Sequence, residues 1–292
     1  YIIGDIGNTS TRICFLNKSK ILNSIIFDTK NIFLKDFIKK ILNKFLKKNT
    51  KKEILFSCVV PQALKKIKKL FKKTDYKVLE IKSFNLKKLI KINIKNIKQL
   101  GSDRIVNSIE GKKFKNCLIV DFGTATTFDI VKSEIYEGGV IAPGVKLSIK
   151  NLSQSTALLP FFNLKGNQKT YGKNTKEALN AGFIWGYQGL INNIINKITF
   201  NWKMKYKIIL TGGYANLFKK FIKKRTSVDQ NITINGISRV YMKQILVTFS
   251  ILFTLQTLAT TIMKRVISLC TSIKVNCTLG IRENIRRQSK SN

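Results

Sequence analysis

Two short segments, 116 positions apart, share one plan, and they constrain the fold more than anything else in the chain. Tyr1–Asp5 is an apolar, strand-like run that leads into Ile6-Gly7-Asn8-Thr9, and Thr11–Leu16 reads as a returning strand. Asn116–Asp121 leads in the same way into Phe122-Gly123-Thr124-Ala125, with Thr127–Val131 returning. An apolar strand, Asp-x-Gly, then hydroxyl or amide residues and a second strand make a β-hairpin signature. Its recurrence predicts a duplicated unit.

Strands and helices alternate around these hairpins. Phe33, Leu34, Phe37, Ile38, Ile41, Leu42, Phe45 and Leu46 form one helical stripe, with Lys35, Lys39, Lys40, Lys44, Lys47 and Lys48 on the other side. Such a helix can lie on a membrane, but the strands on either side favour packing on a sheet. Ile54–Val60 reads as a buried strand ended by Pro61, Gln62–Lys73 as a helix and Lys77–Ile81 as a strand. A helix is expected from Gly101 to about Gly111. The second half continues with Tyr136–Gly144, helices over Val145–Ser155 and Thr175–Lys197, and a strand at Lys207–Leu210 that runs into Thr211-Gly212-Gly213. The alternation implies α/β layers.

Composition narrows the chemistry. The chain of 292 residues has no histidine. That excludes a Ser-His-Asp triad, a Cys-His pair, an HExxH zinc site and a two-His-one-carboxylate iron site. The net charge of +39 invites a nucleic-acid reading, while 44% apolar residues are too many for a disordered polycation. The sequence shows no helix-turn-helix, zinc module or RNP-like aromatic motif, so no specific nucleic-acid partner is expected. Only eight of the 54 basic residues are Arg, which fits a compositional background of Lys. Cys14, Cys58 and Cys117 sit in apolar runs where a buried thiol is the default. With Cys270 and Cys277 they form no CxxC, which points to a reducing cytoplasm. No signal peptide is visible at Tyr1-Ile2-Ile3.

The 15 acids are the informative minority. Asp5, Asp103, Asp121, Asp129 and Glu137 are expected in Gly/Thr-rich turns, and the first two Arg, Arg12 and Arg104, flank such turns. The loop Asp5-Ile6-Gly7-Asn8-Thr9-Ser10-Thr11-Arg12 can wrap phosphate oxygens while its Asp holds Mg²⁺, directly or through water. Asp121–Thr127 offers the same chemistry again. Taken singly, each loop reads first as a plain hairpin; the two together with Thr211-Gly212-Gly213 favour a phosphate grip. Gly101-Ser102-Asp103-Arg104 opens a helix. Ser102 or Asp103 can serve there as an N-cap, or the helix N-terminus and Arg104 can bind an anion while Asp103 accepts a proton from a hydroxyl.

These motifs, in this order, resemble the type III pantothenate kinase family of the acetate kinase, sugar kinase, 70-kDa heat-shock protein and actin superfamily. The resemblance is carried by Asp5–Thr9, Ser57–Pro61, Gly101–Arg104, Asp121–Thr127, Glu137–Gly144, Gly172–Thr175, Thr211–Gly213 and Val228–Gly236, over about residues 1–243. It implies an α/β, duplicated ribonuclease H-like (actin-like ATPase) fold, with domains at 1–112 and 113–243 and ATP in the cleft between them. It implies ATP-dependent phosphorylation of pantothenate by a cytoplasmic homodimer, with Mg²⁺ and a monovalent cation, K⁺ or NH₄⁺. Carried over by residue, Asp5, Ile6, Gly7, Asn8, Thr9, Ser10, Thr11, Arg12 and Thr124 bind ATP, with Asp5 near Mg²⁺. Gly101, Ser102, Asp103, Arg104 and Thr175 bind pantothenate, Asp103 is the general base, and Asp121 binds the monovalent cation. Ile97 stands where the family often has Pro, and Ile94 lies near a position often aromatic. The alternatives are another small-alcohol kinase of the superfamily and a non-catalytic basic regulatory factor on the same fold. Residues 244–292 fall outside the resemblance. Their uncharged stretch Gln244–Met263 is long enough to span a bilayer but rich in Thr and Gln. It reads as a neutral extension, an added packing helix or a marginal tail anchor.

Overall fold

The computed structural model describes residues 1–46, 52–166, 170–244 and 262–263. Tyr1–Tyr241 forms one compact unit; Met242–Asn292 forms another, of which 242–244 and 262–263 are described, all helical. The tail readings, Cys270 and Cys277 therefore lie largely or wholly outside the described residues. Among those residues no helix is long and apolar enough to cross a membrane.

The first half of the larger unit contains β1 (Ile2–Ile6), β2 (Ser10–Asn17), β3 (Lys20–Asp28), α1 (Phe37–Leu46), β4 (Glu53–Cys58), α2 (Pro61–Phe71) and β5 (Lys77–Glu80). Then follow β6 (Lys91–Ile92), α3 (Ser102–Gly111), β7 (Cys117–Phe122), β8 (Ala125–Lys132), β9 (Ile135–Pro143), α4 (Val145–Gln154) and α5 (Thr175–Thr199). The unit continues with β10 (Lys207–Gly212), α6 (Ala215–Lys219) and β11 (Thr226–Val228), and a helical run begins at 232. The first sheet has the order β3-β2-β1-β4-β5, and the second has β11-β10-β7-β8-β9-β6. Read from the other edge, the second is β9-β8-β7-β10-β11 with β6 added. In both, the first three strands are antiparallel and the last two run parallel to the central one. This is the duplicated ribonuclease H-like architecture. All strands of the first sheet precede α3, and all strands of the second follow it except β6, which pairs with β9.

Burial explains the strands. β1 and β7 are central, covered on both faces, and read as near-continuous apolar runs. α1 and α2 cover the first sheet: Ile38, Leu42 and Phe45 join Ala63, Leu64, Ile67 and Phe71 in one core with Ile2, Ile6 and Phe56. The lysine-faced helix is thus a sheet-packing helix. Its start differs from expectation. Thr29–Phe33 is a 3-10 turn, Leu34 is extended and Asp36 takes a left-handed φ of 54°, so the helix begins at Phe37. The second core joins β7, β8 and β10 to Val145, Ile149, Ile191, Ile195 and Phe218 of α4, α5 and α6. Cys14, Cys58 and Cys117 are buried free thiols.

Helix α3 ties the halves together. It packs against β4 of the first sheet and against β7 and β8 of the second. Ser102 Oγ accepts from Cys58 N and donates to Cys58 O, both at 2.8 Å. At its far end, buried Glu110 pairs with Lys113 and Arg239.

Candidate active site

The duplication puts equivalent residues at equivalent strand ends. Asp5, near the end of β1, sits in register with Arg12 of β2 and Ser57 of β4. Asp121, near the end of β7, sits in register with Thr127 of β8 and Thr211 of β10. Each Asp is half-buried where a central strand opens into a Gly loop. The two loops meet: Thr9 Oγ1 and Thr124 Oγ1 are 2.8 Å apart. A second tie runs from Arg12 Nη1 to Gln230 O at 3.0 Å, and Gln230 Nε2 donates in turn to Gly212 O at 3.1 Å. Gly212 has φ +84°, and a Cβ there would stand 2.6 Å from Asp121 Oδ1. The third Gly turn is glycine because it lies against that carboxylate.

Asp103 completes the cluster. Gly101 is the N-cap of α3, so Ser102 and Asp103 are its first helical residues. The N-cap expected at Ser102 or Asp103 moves back one position because Gly101 holds the extended backbone. Asp103 Oδ1 accepts from Arg104 N at 2.8 Å, an acid in the first turn where free N–H groups attract it. Its charge reaches both strand-end acids. Burial, and then the neighbouring Asp103, push Asp5 up to about 7 against a hydrogen bond from Ser57 and the Arg12 charge. Burial, then Asp103, Asp5 and Asp129, push Asp121 up to about 7, against an Asn107 hydrogen bond. The charge of Asp103, on the bridging helix, thus acts on one strand-end acid from each sheet.

The other site residues divide. Asn8, Thr9 and Ser10 are exposed at the loop tip, whereas Ile6 is core. Thr11 is buried, its hydroxyl 2.9 Å from that of Thr29, which donates to Gly7 O at 2.6 Å. Ser102 is buried and its hydroxyl is committed to Cys58. Thr175 is exposed at the first position of α5. That helix is capped by Asn174, whose side chain accepts from Glu177 N at 3.0 Å. Among the described residues no side-chain hydrogen bond joins Thr175 to the carboxylate cluster. Two acids are not where the sequence put them. Asp129 lies within strand β8, fully buried against Arg104, and Glu137 lies on β9, accepting from Asn93 Nδ2 at 2.6 Å. Their neighbours Thr127 and Gly138 suggested turns, but both segments are laddered.

Sequence reasoning missed Ser57 as an Asp5 partner, and also Asn107 and Thr233. Asn107 Nδ2 lies 3.4 Å from Asp121 Oδ2, and Thr233 Oγ1 donates to Asn107 Oδ1 at 2.8 Å. The available signal for Asn107 was an amide on the apolar side of α3. Among the described residues no three Cys, Asp or Glu side chains are grouped to hold a metal ion.

A family model described as Type III pantothenate kinase matches residues 1–197. A type III pantothenate kinase from Pelagibacter ubique (strain HTCC1062) is 47% identical over 242 residues, covering 82% of this chain and 97% of that relative. Another of the same name, from Persephonella marina, is 36% identical over 246 residues, covering 81% and 96%. A solved structure from Campylobacter jejuni, described as a Baf family transcriptional activator, aligns with a TM-score of 0.55 at 20% identity, over 84% of this chain and 98% of that one. That likeness bears on the fold alone.

Proposed function

The chain belongs to the type III pantothenate kinase family, and from that premise we propose how its residues phosphorylate pantothenate. The γ-phosphoryl group of ATP passes to the primary hydroxyl of pantothenate, giving 4'-phosphopantothenate and ADP, the first step of coenzyme A synthesis. The assignment of roles is supported by Asp5 and Asp121 at equivalent strand ends, each sensing the charge of Asp103, on the loops that meet at Thr9 and Thr124.

In this reading residues 1–112 and 113–243 are two lobes gripping ATP. The exposed loop Asn8-Thr9-Ser10 and Thr124 bind its phosphates, supported by the backbone of Asp5–Gly7 and by Thr11 and Arg12. Gly101–Arg104 bind pantothenate, with Thr175 reaching it near a subunit interface. Asp103 takes the hydroxyl proton as the oxygen–phosphorus bond forms and the bond to ADP breaks. Asp5 and Asp121, raised to about 7 by burial and then by Asp103, fit cations, because positive charge beside them favours their ionised form. Mg²⁺ would be held at Asp5, and K⁺ or NH₄⁺ at Asp121. Bound there, such ions would supply positive charge to the transferring group, where most catalysis of this reaction lies. A homodimer follows the family. A cytoplasmic location follows the family.

The test is ATP-dependent phosphorylation of pantothenate by the full chain, with and without K⁺. Asp103→Asn is expected to lower kcat by about a hundredfold or more with a smaller change in KM. Full activity in that variant would remove Asp103 as the base. Turnover of other small alcohols but not pantothenate would favour a different kinase of the superfamily.

A further inference from the structure

Asp129 is a fully buried carboxylate for which phosphoryl transfer has no direct use. It lies mid-strand in β8, and its side chain is 0% exposed. Its Oδ1 accepts from Arg104 Nε at 2.7 Å and from Tyr136 OH at 3.0 Å. Its Oδ2 and Arg104 Nη2 are buried and have no hydrogen-bond partner. An ion pair in that condition stabilises a fold poorly, because desolvation of two charges offsets their attraction unless the remaining groups are also satisfied. The arrangement is better explained by what it does to Arg104. That side chain leaves α3 next to Asp103, while Asp129 and Tyr136 belong to β8 and β9. With Nε engaged and Nη2 buried against Gly139, the guanidinium plane is fixed, and Nη1 is the nitrogen left to meet an anion. The strands also make room for it. Gly139 faces Asp129 in the β8–β9 register, and a Cβ there would stand 2.5 Å from Arg104 Nη2.

We propose that Asp129 and Tyr136 are positioning residues that aim the Arg104 guanidinium, through Nη1, at the carboxylate of the acceptor alcohol, with Gly139 leaving the space its buried Nη2 needs. The inference rests on the reading of the chain as a pantothenate kinase, since pantothenate carries one carboxylate apart from the hydroxyl that is phosphorylated. It assigns acceptor selectivity to two residues that touch neither reacting atom. A side chain locked by its neighbours holds a ligand group in productive geometry, and a slip of about 1 Å can cost up to about a hundredfold in rate.

The experiment is steady-state kinetics of the full chain with pantothenate and with panthenol, whose carboxylate is replaced by a neutral CH₂OH. Asp129→Asn is expected to raise KM for pantothenate about tenfold or more, and Tyr136→Phe about threefold. Expected KM values for ATP stay within about twofold, and the preference for pantothenate over panthenol shrinks in both variants. Tyr136→Phe keeps the ion pair, so it carries the test if Asp129→Asn does not fold. Unchanged KM and unchanged selectivity in folded, active variants would overturn the positioning role. An equal rise in KM for both acceptors would overturn the carboxylate as the group Arg104 reads. An unaltered chain that turns over ATP without phosphorylating pantothenate would overturn the functional reading, and the inference with it.

Discussion

At the scale of single residues, the site is a balance of acids with too few bases. Asp5 and Asp121 rise from an ordinary 3.8 to about 7, chiefly through burial and then through Asp103. A carboxylate whose folded pKa is raised binds its proton more tightly in the folded chain. Its contribution to stability is full below the unfolded pKa and is lost as pH rises through the folded value. The cation-free protein is therefore expected to lose thermal stability between about pH 4 and pH 7. Added Mg²⁺ and K⁺ should restore it most at the upper end, where the acids are ionised, and Asp121→Asn should flatten the fall. Melting curves in chelator across that range check this; a melting temperature with no trend would sink it. The identities of these acids were legible in the sequence because acids are rare there and three of them adjoin Gly and hydroxyl residues. The place of Asp129 was not legible. It falls inside the strand read at Thr127–Val131, but nothing near it in sequence marks it as the buried partner of Arg104, which α3 brings against β8.

At the scale of elements, α3 sets the geometry, since it carries Asp103 and Arg104 and touches both sheets. Its N-terminus is fixed by Ser102, whose hydroxyl satisfies both backbone groups of Cys58. Ser102→Ala leaves a buried N–H without its acceptor and is expected to cost about 1–3 kcal/mol of unfolding free energy. Urea unfolding measures the loss, and a change below about 0.5 kcal/mol would show that water replaces the hydroxyl. The helices on the sheets were legible from periodicity, and the central strands from unbroken apolar runs. Of the edge strands, β5 was legible, but β3 and β11 were not. β3 is largely exposed and mixes Asn and Ser with apolar residues, so it lacks the alternation that marks a half-buried strand. β11 has three residues, too few for a period. The start of α1 was misjudged because the apolar stripe continues through a 3-10 turn, and side-chain spacing does not register the left-handed backbone of Asp36.

At the scale of the whole molecule, the +39 charge acts as a field. It attracts anionic ATP and pantothenate, and salt screens it. Raising ionic strength from about 0.05 to about 0.5 M with a non-activating salt, at fixed saturating K⁺, is expected to raise KM for ATP several-fold with kcat changed less than about twofold. Equal KM at both salt concentrations would confine the charge to a background of lysines. By itself, the sequence determined the duplicated hairpins, the α/β class, the family and the residue types of the site. All of these depend on local periodicity and on which side chains occur in order along the chain. Only the tertiary structure decided that β1 and β7 present Asp5 and Asp121 to one helix and that Thr9 meets Thr124. It also decided that Ser102 binds the helix to a strand and that Asp129 holds Arg104. Those relations depend on strand register and on packing between distant segments, and a one-residue change of register would turn each side chain to the opposite face.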